Sequence, residues 1–265
     1  MTENEYRSHP AVSRSELWRI YDSPEKFKFF KDHPSDPTPA LLFGQVFHKM
    51  ALEPDTFSDE YVVAPEINRR TNEGKQAWAS FLEQAEGKTV IPAEMHEKAK
   101  AMCESLASVP LAQKLLNGRK EVSFFWVDEL TGEECKCRTD CLNTLYSQPI
   151  IVDVKSTTDA STETFIRDAI KYGYDFQAAM YSEGVSKHIK QTPLFVFIVV
   201  EKTPPYAVNI LQADELLLKR GHNIFRDCIE TYHDCKMSGN WYGYLGKNNQ
   251  INTLALPAWL AKEVT

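Results

Sequence analysis

The sequence predicts an α/β protein in which a central mixed β-sheet is flanked by helices. Three observations carry this expectation. Helical periodicity dominates residues 13–116, three β-rich runs follow between residues 121 and 155, and a fully apolar run at 194–200 sits between later helices. The chain has 265 residues, 43% of them hydrophobic and 25% charged, which suits a globular protein with a sizeable core. With no internal repeat, low-complexity tract or long linker, residues 1–265 read as one domain.

Taken in order, Val12-Ser13-Arg14-Ser15-Glu16-Leu17-Trp18 opens an amphipathic helix with Ser13 or Ser15 as its N-cap, and Asp22-Ser23-Pro24 stops it. After a proline-rich loop at 34–39, residues 40–52 have helical spacing, place Gly44 and His48 four apart, and end at Glu53-Pro54. Residues 67–75 form a polar loop carrying Arg69, Arg70 and Lys75. Helical patterns follow at 75–86 and 93–116. The character then changes. Residues 121–127 and 134–140 are β-rich and joined by Asp128-Glu129-Leu130-Thr131-Gly132-Glu133, a hairpin signal, and a third strand follows at 150–155. Helices return at 162–172 and 174–188. The apolar strand 194–200 pairs with 207–211, and a helix at 213–237 closes the core.

Composition narrows the function less. The net charge of −7 argues mildly against a protein that coats nucleic acid by bulk electrostatics. It is compatible with an acidic metal site beside a local basic groove. No apolar stretch approaches the roughly 20 residues needed to span a bilayer, and the N-terminus is unlike a signal peptide, so the expectation is a cytoplasmic protein without membrane contact. Cys135, Cys137 and Cys141 cluster, but C-x-C-x3-C is a poor zinc spacing, and alternation suits one face of a strand. Together with Cys103, Cys228 and Cys235 they are expected to be reduced, structural thiols.

The chemistry concentrates around Arg138-Thr139-Asp140 and Asp153-Val154-Lys155. Residues two apart on a strand share a face, so Asp153 and Lys155 project together. Asp140 ends the neighbouring strand. Two carboxylates there can share Mg²⁺ or Mn²⁺, whose retained waters supply a nucleophile, while Lys155 positions water or helps deprotonate it and offsets phosphate charge. Glu121 begins the hairpin and either reaches the same centre or faces solvent. A lone His48 on an apolar helix face is commonly a satisfied core residue, and becomes a plausible ligand only beside an acidic site. Gln177 and Tyr181, four apart, share a helix face that either addresses a cleft or forms a half-buried surface with polar tips. Arg69, Arg70 and Lys75 are candidates for DNA phosphate contact, with a solvated loop as the plain alternative.

Gly44…His48, Asp140, Asp153-Val154-Lys155 and Gln177…Tyr181, in that order, resemble the RecB-type branch of the PD-(D/E)xK nucleases. Within it the chain is similar to the RecE-type exonucleases through Leu52-Glu53-Pro54, Val63-Ala64-Pro65-Glu66, Asn68-Arg69-Arg70-Thr71-Asn72, Gly87-Lys88-Thr89-Val90-Ile91, Cys135-x-Cys137-Arg138, Phe195-Val196-Phe197 and Leu254-x-Leu256-Pro257-x-Trp259. Thr139 stands where that pattern often has proline, a difference of backbone shape rather than of ligands. The resemblance implies the PD-(D/E)xK fold and a Mg²⁺-dependent exonuclease, with Mn²⁺ substituting. Its implied substrate is linear double-stranded DNA, degraded 5′ to 3′ to leave 3′ overhangs. It also implies a homotetrameric ring, a RecT-type single-strand annealing partner and a phage or prophage recombination setting. It makes His48, Asp140, Asp153 and the Val154 carbonyl metal ligands, with Glu121 completing a second site. Lys155, Gln177 and Tyr181 become active-site residues. The competing readings are a RecB-type single-strand nuclease of a CRISPR or helicase system and a non-catalytic DNA-binding relative. The first often carries an iron–sulfur cluster fed by a C-terminal cysteine triplet. Cysteine is absent after Cys235, so no such cluster is expected.

Overall fold

A computed structural model describes residues 1, 3–34 and 36–257 of the protein, so Trp259 of the C-terminal resemblance lies outside the described residues. The first half is helical: α1 (Glu3–Ser8), a short strand β1 (Val12–Ser13), α2 (Arg14–Asp22), α3 (Pro24–Asp32), α4 (Pro39–Leu52) and α5 (Phe57–Glu60). A small excursion follows, with β2 (Tyr61–Val63), α6 (Asn72–Gln84) and β3 (Thr89–Ile91), then α7 (Ala93–Ala107) and α8 (Pro110–Leu116). The second half holds β4 (Arg119–Val127), β5 (Glu134–Asn143), β6 (Ile150–Thr157), α9 (Thr162–Tyr172), α10 (Tyr174–Ile189), β7 (Leu194–Glu201), β8 (Val208–Gln212) and α11 (Glu215–Ser238).

Ser13 caps α2 through a capping box. Its side chain accepts from the Glu16 amide while Glu16 accepts from the Ser13 backbone. Three boundaries differ from the sequence expectation. Pro24 does not only stop α2; it sits in the first turn of a further helix, α3, where its missing N–H costs nothing. The pattern at 93–116 divides into α7 and α8 because Pro110 cannot continue a helix and instead begins the next one. Helix α6 starts at Asn72, capped by the Thr71 hydroxyl, so Lys75 lies within a helix rather than before it. The parallel pair β2–β3 was not foreseen, since three-residue strands carry too little periodicity to read.

The main sheet runs β1-β5-β6-β7-β8, with β4 on the remaining edge of β5. It is mixed: β6 and β7 are parallel, while β4–β5, β5–β6 and β7–β8 are antiparallel. Helices cover both faces. Ile151, Phe195, Phe197 and Val199 point into a core built with Leu17, Phe27, Phe165, Phe176 and Phe225 from α2, α3, α9, α10 and α11. Val152, Val154, Val196, Ile198 and Val200 alternate to the other face and meet Val46, Phe47, Met102 and Leu115 from α4, α7 and α8. All six cysteines are free thiols, and five are buried. Cys135 and Cys137 lie in the first core and Cys141 in the second, so the three sulfurs of the cluster do not face one point. Burial pushes the Cys135 and Cys228 thiols up to about 12. No helix among the described residues is long and apolar enough to cross a membrane.

Candidate active site

The site forms where β5 parts from β6. One edge of β5 is paired with β4 over residues 134–142, except at Asp140. The other edge is shared: β1 lies beside Cys135 and Lys136, and β6 lies beside Cys141–Asn143. Between them, residues 137–140 have no strand partner on that edge among the described pairings. The β5–β6 ladder ends at Cys141 opposite Val152, so its next rung would set Asp140 opposite Asp153. On the β4 side, Lys120 opposes Cys141 and Val122 opposes Thr139, which brackets Glu121 opposite Asp140. That rung is also missing, and Glu121 has φ +50°, a left-handed conformation a non-glycine residue adopts only when its surroundings impose it. Glu121, Asp140 and Asp153 therefore occupy one level across three adjacent strands.

Each side chain has a defined hold. Asp140 Oδ2 accepts a 2.7 Å hydrogen bond from the Val154 amide and lies 3.4 Å from His48 Nδ1 on α4. In an extended residue the N–H and C=O face the same edge, so the Val154 carbonyl is also turned toward the notch. Asp153 is 1% exposed. Its Oδ1 accepts from Gln177 Nε2 on α10, while Lys155 Nζ stands 2.5 Å from its Oδ2. That contact is too poorly aligned for a hydrogen bond, which leaves Oδ2 buried without one. The Lys155 ammonium also lies 4.8 Å from the Tyr174 ring. Gly173 joins α9 to α10 with φ +66°, and a Cβ there would strike the Trp18 ring at 2.4 Å. Only glycine permits this turn, and the turn aims Tyr174, Gln177 and Tyr181 at the sheet.

Burial raises the Asp140 pKa above the usual carboxylate value, His48 opposes this, and Asp153 adds to it. Burial works to lower the Lys155 pKa, but Asp153 and Asp140 outweigh it and hold the ammonium above its ordinary value. Burial also keeps the Tyr181 phenol well above its usual range, with Tyr6, Cys137 and Asp153 contributing. Burial and the two neighbouring carboxylates together account for these shifts.

The structure thus brings together His48, Asp140, Asp153, Val154, Lys155 and Gln177, with Tyr181 in electrostatic reach. Glu121 is level with them, but its Oε2 lies 3.9 Å from Arg138 Nε. Arg69, Arg70 and Lys75 belong to the separate β2–α6 excursion, where Arg69 packs 4.3 Å over the Trp78 ring and the other two are exposed. Sequence reasoning missed Arg14. The first residue of α2, it donates to the carbonyl of Gly173 (2.8 Å) and to that of Tyr172, and its buried Nε has no partner. Burial lowers its pKa, while Tyr181, Tyr174, Asp153 and Asp175 favour its charge. A two-residue strand places it there, and such a strand leaves no trace in periodicity.

Among the described residues, no three His, Cys, Asp or Glu side chains converge as a ready metal cluster. His48 turns to Asp140, Asp153 to Lys155 and Gln177, and Glu121 toward Arg138. The donor set nevertheless fits a hard divalent cation. It offers two carboxylates, an imidazole and a carbonyl edge, and it has a buried carboxylate oxygen that no aligned donor satisfies.

A crystal structure of a protein from Eubacterium rectale named "Putative exonuclease" shares this architecture. The two are 14% identical, the match covers 98% of this chain and 97% of that one, and the TM-score is 0.64. The crystal structure of SSO0001 is 12% identical over 89% of this chain and 82% of its own, with a TM-score of 0.42, too low to carry an argument. No curated protein sequence matches the chain. The model of the PDDEXK-like domain of unknown function (DUF3799) matches residues 13–253. The notch of acidic strand ends and that match over most of the chain lead to one assignment: the protein belongs to the family of PDDEXK-like domains of unknown function.

Proposed function

We propose that the protein is a metal-dependent nuclease that degrades linear double-stranded DNA from its 5′ ends and leaves 3′ single-stranded overhangs. The observation that carries this reading is the alignment of Glu121, Asp140 and Asp153 at one level across β4, β5 and β6, beside Lys155. Asp140, Asp153, His48 and the Val154 carbonyl would hold Mg²⁺, or Mn²⁺ in its place, with Glu121 on the outer side. When bound, the cation supplies positive charge against the scissile phosphate and lowers the pKa of water. Gln177 fixes the rotation of the Asp153 carboxylate through Oδ1, leaving Oδ2 for the centre. Lys155, paired with Asp153, would position the water or help deprotonate it and offset phosphate charge. Arg14, half-buried and in electrostatic reach of Asp153 and Tyr181, adds a second cation that would oppose phosphate charge. The RecE-like resemblance supports the finer reading: a cytoplasmic enzyme, assembled as a homotetrameric ring, that hands its overhang to a RecT-type annealing protein.

Linear duplex labelled at the 5′ or the 3′ end, incubated with Mg²⁺ or with EDTA, tests this directly. Early Mg²⁺-dependent release of the 5′ label, with the 3′ label retained on long single strands, is expected. Cleavage of single strands alone would replace this reading with a RecB-type single-strand nuclease. Cleavage of neither would leave a DNA-binding relative without catalysis.

A further inference from the structure

Residues 3–10 take no part in the chemistry above, yet they lie across the strand that leads to it. Lys136 Nζ donates to the carbonyls of Tyr6 (2.8 Å), Arg7 (3.3 Å) and His9 (2.7 Å), and Arg138 Nη2 donates to that of Met1 (2.9 Å). Both cations also lie 4.9 Å from the Tyr6 ring. The segment continues onto β4, where the His9 ring is 4.4 Å from that of Phe125. The Tyr6 phenol is close enough to Tyr181 to raise its pKa further, after burial.

Lys136 and Arg138 alternate on β5 and share a face, and Asp140 follows two residues on, giving a succession of cation, cation and carboxylate along the strand toward the notch. Arg138 is tied to this row through Ser123 Oγ (2.9 Å), its neighbour opposite on β4. We propose that Lys136 and Arg138 form a phosphate-binding track for the DNA strand entering the site, and that residues 3–10 are a strap the DNA displaces. This rests on the nuclease reading and adds a substrate path and a gate to it. Lys136 and Arg138 hold the strap through its carbonyl oxygens, with the Glu121 carboxylate 3.9 Å from Arg138 Nε, and a phosphate oxygen accepts more strongly than a carbonyl because its hydrogen bond is charge-assisted on both sides. The strap depends on these contacts rather than on its own helix. Helix α1 has six residues, well short of the ~12–15 at which an isolated helix begins to hold itself in water.

The test measures duplex binding in EDTA, across a salt series, for the full chain, Tyr6→Ala and a deletion of residues 1–9. Uncovering two phosphate contacts should tighten binding by about tenfold and steepen the slope of log K against log salt by about 2. Arg138→Ala placed in the deletion should return about half of the added slope. Unchanged affinity and slope, or weaker binding without the strap, overturns the proposal. Because the deletion could impair folding, hydrogen exchange at amides 5–9 of the full chain is compared with and without duplex. Faster exchange on duplex binding supports displacement, whereas unchanged or slower exchange refutes it. Mg²⁺-dependent cleavage by the full chain is followed alongside. Intact cleavage with an unmoved strap rejects the strap alone, while absence of both duplex binding and cleavage rejects the nuclease reading and the track with it.

Discussion

Gly44 sits inside α4, one turn before His48, and a Cβ built on it would meet nothing within 4 Å. A glycine in a helix interior costs about 0.5–1 kcal/mol relative to alanine, through the greater freedom it loses on folding. Gly44→Ala should therefore stabilise the free protein by up to ~1 kcal/mol, with no steric term to subtract. Unfolding entropy of about 2.1 cal/mol/K per residue over the 265 residues makes that a rise in Tm of about 1–2 °C. On the nuclease reading, the open space at Gly44, one turn from His48, is where DNA would pass close to the backbone. The same methyl should then lower Mg²⁺-dependent cleavage by tenfold or more, equivalent to about 1.4 kcal/mol of lost transition-state stabilisation. Thermal unfolding and initial rates on end-labelled duplex, measured on the same preparation, give both signs. A higher Tm with undiminished cleavage would show that the glycine is no clearance for substrate. A lower Tm would show that the position is not open helix interior.

Asp153→Asn keeps the side-chain shape and its contact with Gln177 but removes the charge, so cleavage should fall by at least about a thousandfold while circular dichroism is unchanged. Near-normal cleavage would sink the site assignment. Mg²⁺ or Mn²⁺ at about a hundred times its dissociation constant should stabilise the protein by ~2.7 kcal/mol, near 5 °C in Tm, and Asp140→Asn should remove most of that shift. An equal shift in the variant would place the cation elsewhere. The hairpin carrying β4 and β5 is tied to α11 by Asp128, 1% exposed, which accepts from both Nη atoms of Arg226 and from Thr131. Burial alone would raise its pKa, but the bonds from Arg226 and Thr131 outweigh this and hold it well below the usual carboxylate range. A depressed folded-state pKa contributes stability above the unfolded value, near pH 4, and loses it as pH falls toward the folded value. Asp128→Asn should thus cost about 2–3 kcal/mol at pH 7, less than a fully buried pair because Arg226 is partly exposed. The gap to the unaltered protein should narrow steadily below pH 4, and a gap independent of pH would contradict the linkage.

Most of the scaffold was legible because its elements are long and strongly patterned. The alternation of β6 and β7 into two cores, the hairpin at Asp128–Glu133 and the helices α9, α10 and α11 follow from periodicity and turn residues alone. So did the pairing of Asp153 with Lys155, since residues two apart on a strand must share a face. What periodicity could not supply was anything set by contact between distant segments. Strands β1, β2 and β3 have two or three residues each and exist only because a partner far along the chain pairs with them. The level alignment of Glu121 with Asp140 and Asp153, the notch left between β1 and β6, and the delivery of Arg14 to the Tyr172 and Gly173 carbonyls all depend on how the strands are assembled. Residue types and their order along the chain determined which groups are present and on which face each stands. Register and strand divergence, which are properties of the assembled sheet, decided which of those groups meet.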